Sequence, residues 1–306
     1  MDSTQINNRF HTPVLLNVFN RPEETSRVLA ALVVQQVPVL YVHCDGAREG
    51  REDDVRNVKQ VQQLIKESVT WPCELHTMYE EQNYGCGVGP YRAITWFFEN
   101  VEDGIILEDD CVPHPDFFMY CQELLERYRD NERIAVIGGT NRHPGKSNNK
   151  YSYFFSAYSE TWGWATWRRV WKNYDYDFMV TDKEFYRSMI PHVLSYWTTK
   201  WWVNLLRTMR EDNKAGTKTY WDYQLDLKCM YEHKIHIIPS VNLISNIGFN
   251  ERATHTFASS HAQTQVDAIL PLRHPKCIVI RYSDNIEYNV FLKGIKSFIK
   301  KLIKHK

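Results

Sequence analysis

The sequence predicts an α/β fold with a mostly parallel central sheet flanked by helices. Three observations carry this prediction. Short apolar runs alternate with helix-period segments up to about residue 150, the pattern of strands joined by crossover helices. The apolar runs end on polar residues, where sheets of this kind bind ligands. Beyond Lys150 the chain becomes aromatic-rich and less regular, which suits a second wall packed on the carboxyl edge of the sheet.

The elements follow in order. Thr12 to Phe19 (TPVLLNVF) is a first strand, ending in Asn20-Arg21-Pro22. Pro22 opens a helix over Glu23 to Gln36, where Val28 and Leu32 recur at helical spacing. Pro38 to His43 is a second strand, closed by Cys44-Asp45-Gly46, and Asp53 to Ser68 a second helix with Val55, Val58, Val61, Leu64 and Ile65 on one face. Glu74 to Tyr79 is a third strand. Asn83 to Pro90 is a Gly-rich turn and Tyr91 to Glu99 a helix. Gly104 to Leu107 is a fourth strand, Phe117 to Tyr128 a helix, and Ile134 to Ile137 a fifth strand. In the second half, helices are expected over Thr161 to Trp171, Lys183 to Met189, Ser195 to Met209 and Asp222 to Glu232. The expected organisation is one domain over residues 1–285, with a nucleotide-binding half over about 12–150 and an acceptor-side half over about 151–260. A basic tail over 286–306 follows.

Composition narrows the function. The 306 residues carry 37 basic and 37 acidic side chains. Six Lys and no acid lie between Lys293 and Lys306, so the rest of the chain has a net charge of −6. A net-acidic body argues against nucleic-acid binding, which needs basic surface to neutralise phosphates. Seven Cys, an odd number without a CxxC pair, speak against a disulfide framework or a cysteine zinc site and fit a reducing compartment. The polar stretch Met1 to Phe10 has no signal-peptide core, and no apolar run approaches the roughly 18 residues of a membrane span. These features point to a cytoplasmic protein, free or peripheral on the cytoplasmic face of the inner membrane.

The strongest chemical signal is GIILEDDCVP, Gly104 to Pro113. Glu108, Asp109 and Asp110 directly follow a buried strand. Adjacent carboxylates at a desolvated strand end repel one another, and a divalent cation relieves that repulsion; oxygen ligands suit Mg²⁺ or Mn²⁺. Such an ion could hold a nucleotide's phosphates. The alternative is a solvated acidic turn at a helix N-terminus. The Gly-rich turn Asn83 to Pro90 reads better as a tight turn than as a phosphate cradle. Asp222, in Tyr220-Trp221-Asp222-Tyr223-Gln224, stands at a helix start, the position of an N-cap. The stretch Asn242 to His255 could be a flap or a long surface loop.

Together these segments resemble the GT-A inverting glycosyltransferases related to N-acetylglucosaminyltransferase I. Their E-D-D triplet precedes P-D-F-F, as Glu108-Asp109-Asp110 precedes Pro115-Asp116-Phe117-Phe118 here. TWGWATWRRVW (Thr161 to Trp171) is similar to the family's G-W segment, and Trp221-Asp222 falls at its W-D pair, with Tyr223 where the family has a second acid. Ile244 to Phe249 and Ala253 to Thr256 look like an uncharacterised bacterial branch. The resemblance implies a GT-A fold and a metal-dependent transferase taking a sugar from a UDP- or GDP-sugar to a glycan or lipid-linked acceptor, as in lipopolysaccharide or polysaccharide synthesis. It further implies Asp110 on the metal, Glu108 and Asp109 on donor sugar and ribose, and Asp45 on the nucleobase. Arg21 and His255 would face the diphosphate, Trp162, Gly163 and Trp164 the acceptor, and Asp222 would be the catalytic base.

Two other readings compete. A sugar-phosphate nucleotidyltransferase shares a similar sheet but usually carries a Gly-rich, basic loop after the first strand, where this chain has Asn17-Val18-Phe19-Asn20-Arg21. A non-enzymatic carbohydrate-binding or peripheral membrane protein would not need the acid triplet. Phe291, Leu292, Ile295, Phe298, Ile299, Leu302 and Ile303 fall on one helical arc, with Lys on the other side, so the tail reads as an amphipathic helix suited to an anionic membrane surface or to docking on the acidic body.

Overall fold

The computed structural model describes residues 9–141, 150–189, 196–216, 220–248 and 266–281. His255 and the amphipathic tail lie outside the described residues. The strands are β1 (Val14–Val18), β2 (Val39–Cys44), β3 (Glu74–Tyr79), β4 (Asp103–Glu108), β5 (Cys111–Pro113), β6 (Ile134–Gly138), β7 (Tyr153–Ser156), β8 (Trp164–Trp167), β9 (Ile235–Pro239), β10 (Ile244–Asn246) and β11 (Ile280–Arg281). The helices are α1 (Pro22–Gln35), α2 (Glu52–Ser68), α3 (Gly85–Asn100), α4 (Pro115–Arg127), α5 (Arg168–Trp171), α6 (Asp182–Met189), α7 (Tyr196–Ala215) and α8 (Asp222–Tyr231).

Nine strands form one sheet in the order β11-β7-β9-β6-β8-β4-β1-β2-β3. β3, β2, β1 and β4 are mutually parallel, and β8 pairs antiparallel with both β4 and β6. The chain steps outward from β1 to β2 to β3, then returns past β1 to β4. Right-handed crossovers therefore put α1 and α2 on one face and α3 on the other. The strand order reverses between β1 and β4, whose carboxyl ends are the place where open α/β sheets bind ligands. Arg21 follows β1, and the acid triplet follows β4, so both arrive at this edge.

Local chemistry supports these elements. Pro22 starts α1 with Glu23 and Glu24 in its first turn, favourable against the helix dipole. β1, β4 and β6 are apolar and almost wholly buried, as parallel strands covered on both faces must be. A large core runs through the sheet, and a second cluster (Tyr158, Phe178, Phe185, Trp202, Leu206, Leu227 and Met230 among its members) joins α6, α7 and α8.

One expected element is corrected. Thr161 to Trp171 is not a helix. Its centre, Trp164–Trp167, is the strand β8, followed by the single turn α5. All four β8 residues are buried, so neither face shows the alternation that would mark a strand. Aromatic and β-branched residues suit that position. The Gly-rich turn is also shorter than expected, since α3 already begins at Gly85. The described residues show a mixed α/β fold with helices flanking a central sheet.

Candidate functional site at the carboxyl edge of the sheet

The acid triplet occupies a tight bend. β4 ends on Glu108, and three residues later the chain enters β5, which pairs with β10 in a separate two-stranded ribbon. Ile247 N–H donates to the Asp110 carbonyl at 2.8 Å. Gly248 packs so close to the Asp110 carboxylate that a Cβ there would overlap it, so a larger residue would have to displace that carboxylate. From the other side, Arg21 Nη1 lies 2.8 Å from Asp110 Oδ2 and 3.4 Å from Asp109 Oδ1. Phe19 N–H donates to Asp109 Oδ2 at 3.4 Å, and the Cys111 thiol to Asp110 Oδ1 at 3.4 Å.

The charges are poorly balanced. Burial first, and then Asp110, push the Asp109 carboxyl up to about 7 against the opposing pull of Arg21. Glu108 is raised well above the usual carboxylate range by burial, then by Asp110, Asp109 and Asp222. Burial, followed by the neighbouring carboxylates, also raises the Cys111 thiol, so it is neutral. Glu108, Asp110 and Cys111 each offer a donor atom within 4.8 Å of the others. A hard divalent cation fits the oxygens of Glu108 and Asp110, while the neutral thiol contributes little to such an ion.

Asp222 comes from the aromatic half. It is the first residue of α8, whose N-cap position is held by Trp221. Trp221 stacks on Trp164 of β8, with ring centroids 5.7 Å apart at 22°. That stack joins the start of α8 to the strand beside β4, and Asp222 lies near enough to Glu108 to raise its pKa. One helical turn on, Asp226 accepts a hydrogen bond from the Ser159 hydroxyl; burial, with Asp222 and Glu160, pushes its carboxyl up to about 7.

The other expected residues sit as follows. Asp45 accepts from Gly46 N–H (3.0 Å), Tyr84 N–H (2.9 Å), Gly85 N–H (2.9 Å) and Asn83 Nδ2 (3.0 Å). It thereby ties the end of β2 to the start of α3, where Gly85 has φ +76°. The carbonyls of Trp162 and Gly163 accept from Thr140 Oγ1 (2.8 Å) and Gly139 N–H (2.7 Å), and Trp164 is buried beneath Trp221. The structure thus gathers Arg21, Glu108, Asp109, Asp110 and Asp222, and puts Asp45 one strand away. Sequence reasoning missed Asn17, Ser159 and Asp226. A lone Asn in an apolar strand, and an acid at i+4 from Asp222, were the available signals.

No family model and no curated protein matches the chain. Similar solved structures include HddC from Yersinia pseudotuberculosis (10% identity, TM-score 0.33, 53% of this chain and 80% of that one). The inositol-1-phosphate CTP transferase from T. maritima follows at 9% identity and a TM-score of 0.32, over 53% of this chain and 73% of that one. An apo UDP-glucose pyrophosphorylase matches at 8% and 0.32, over 53% and 78%. These are nucleotidyltransferases, not GT-A glycosyltransferases, and on that finding the expected membership, enzyme class and glycosyl-transfer activity are corrected. The acid triplet after a buried strand does not by itself distinguish one nucleotide-sugar enzyme from another.

Proposed function

We propose that this chain is a divalent-cation-dependent transferase acting at nucleotide phosphates, of the sugar-phosphate nucleotidyltransferase class. The observation that supports it most is the charge imbalance at the carboxyl ends of β1 and β4. Three acids meet one arginine, and two of those acids are held above their ordinary pKa. In this reading a phosphate oxygen of a sugar phosphate attacks the α-phosphorus of a nucleoside triphosphate. The α–β bridging bond breaks, and pyrophosphate leaves with the electron pair. Mg²⁺ or Mn²⁺, held by Glu108 and Asp110, would supply counter-charge to the phosphates.

The chain's own residues do the rest. Arg21, already fixed by Asp109 and Asp110, presents a second positive charge to the leaving phosphates, in place of the Gly-rich loop that β1 lacks. Asp109, held by Phe19 N–H and Arg21, keeps Arg21 in position. The attacking phosphate is already anionic and needs no base, so Asp222 serves to hold sugar hydroxyls. The test is pyrophosphate release from nucleoside triphosphates paired with sugar 1-phosphates, with Mg²⁺ or Mn²⁺. Release should need both substrates and the cation, and should vanish in Asp110→Ala. No release from any pair would overturn the reading.

A further inference from the structure

Asn17 is the one polar side chain of β1, and it stands in the sheet between two titratable neighbours. Its register partners are His43 on β2 and Glu108 on β4. The His43 side chain is wholly buried, and its Nδ1 lies 2.6 Å from Asn17 Oδ1. On the far side, His43 Nε2 faces Glu80 Oε1 at 3.7 Å without a hydrogen bond. Glu80 accepts from Arg92 Nε at 2.8 Å, and the Arg92 guanidinium lies over the Tyr84 ring at 4.2 Å. A polar chain therefore runs from the surface, through Arg92, Glu80 and His43, to Asn17 beside the acid triplet.

The histidine decides what Asn17 presents. Burial, helped by Arg92 and opposed by Glu80, lowers the His43 pKa to about 4, so the ring is neutral near pH 7 and carries one N–H. With the proton on Nδ1, the imidazole donates to Asn17 Oδ1, and the amide N–H₂ turns away from it. With the proton on Nε2, Asn17 would turn its N–H₂ to the ring and present its oxygen instead. The 2.6 Å contact to Oδ1 matches the first arrangement. Asn17 is half-buried, and its amide nitrogen has no partner among the described residues. An unpartnered amide donor on the strand beside Glu108 complements an anion, whereas an oxygen there would repel one.

We infer that Asn17 is a substrate-contact residue whose amide N–H₂ donates to a phosphate oxygen of the bound substrate, and that His43 is the positioning residue that fixes this orientation. The inference rests on the nucleotide-phosphate reading above. Both parts can be tested with inorganic pyrophosphate and Mn²⁺ as probes in calorimetry. Asn17→Ala should weaken pyrophosphate binding about tenfold or more, as for a hydrogen bond to a charged group, with Mn²⁺ binding alone unchanged. His43→Leu should weaken it comparably without touching the ligand. His43→Asn, which keeps an N–H at the Nδ1 position, should restore it. The double variant Asn17→Ala/His43→Leu should be no worse than Asn17→Ala, because the two act as a unit. Nitrogen-15 NMR of the wild type should place the His43 proton on Nδ1, whatever the ligand.

Pyrophosphate affinity within twofold of wild type in Asn17→Ala would overturn the contact, and a proton on Nε2 would overturn the positioning role. Failure of the wild type to bind pyrophosphate with Mn²⁺ is a separate result: it overturns the nucleotide-phosphate reading and the ligand assigned to Asn17 together.

Discussion

Asp109 accepts from Phe19 N–H and pairs with Arg21, yet its carboxyl stays protonated up to about pH 7 because burial and Asp110 outweigh those contacts. In the unfolded chain the same group ionises near 3.8. Below about pH 4 it is protonated in both states and costs nothing. Between 4 and 7 the unfolded state releases the proton first, so stability falls as pH rises, and above 7 the cost is constant. Without divalent ions, the melting temperature of Asp109→Asn should therefore gain on wild type from pH 4 to pH 7. An equal difference at both pH values would remove the burial argument. At this scale the acid triplet stood out, because consecutive acids after an apolar run are unusual, whereas Arg21 was singled out only through the family resemblance. The Asn17–His43 pair was not, because register across two strands cannot be read from one strand's letters.

Strands β1, β2 and β4 were visible in the sequence as short apolar runs separated by long helices, and the more polar, exposed β3 (ELHTMY) by its place between two of those helices. Glu74–Tyr79 was predicted at its observed limits. β9 (IHIIP) was missed although β6, equally buried, was read: in β9 His236 and Pro239 interrupt the apolar run. The Trp164–Trp221 stack is what brings α8, and hence Asp222, to the acid triplet. Trp221→Ala should cost about 3–5 kcal/mol, the range for truncating a buried aromatic. It should also weaken sugar-phosphate binding more than pyrophosphate binding. Chemical denaturation and calorimetry give the two numbers, and a loss confined to pyrophosphate would detach Asp222 from the sugar side.

The whole molecule is an α/β sheet whose strand order reverses at β1/β4, with an aromatic half joined to the same edge. Among the described residues no helix is long and apolar enough to cross a membrane. The Lys-rich segment from Lys293 to Lys306 lies outside those residues, and we propose that it holds the protein at an anionic surface. The full chain should co-sediment with anionic vesicles at low salt, and a chain truncated after Glu287 should not; equal sedimentation of the two would end that proposal. The central claim, a cation and nucleotide phosphates bound together at the acid triplet, is tested most directly by calorimetry of a nucleoside triphosphate with and without Mn²⁺. The account predicts that the wild type binds the nucleotide tightly only with the ion, and that Asp110→Ala loses the ion-dependent part while keeping its fold. Nucleotide affinity that ignores Mn²⁺, or that survives intact in Asp110→Ala, would contradict it.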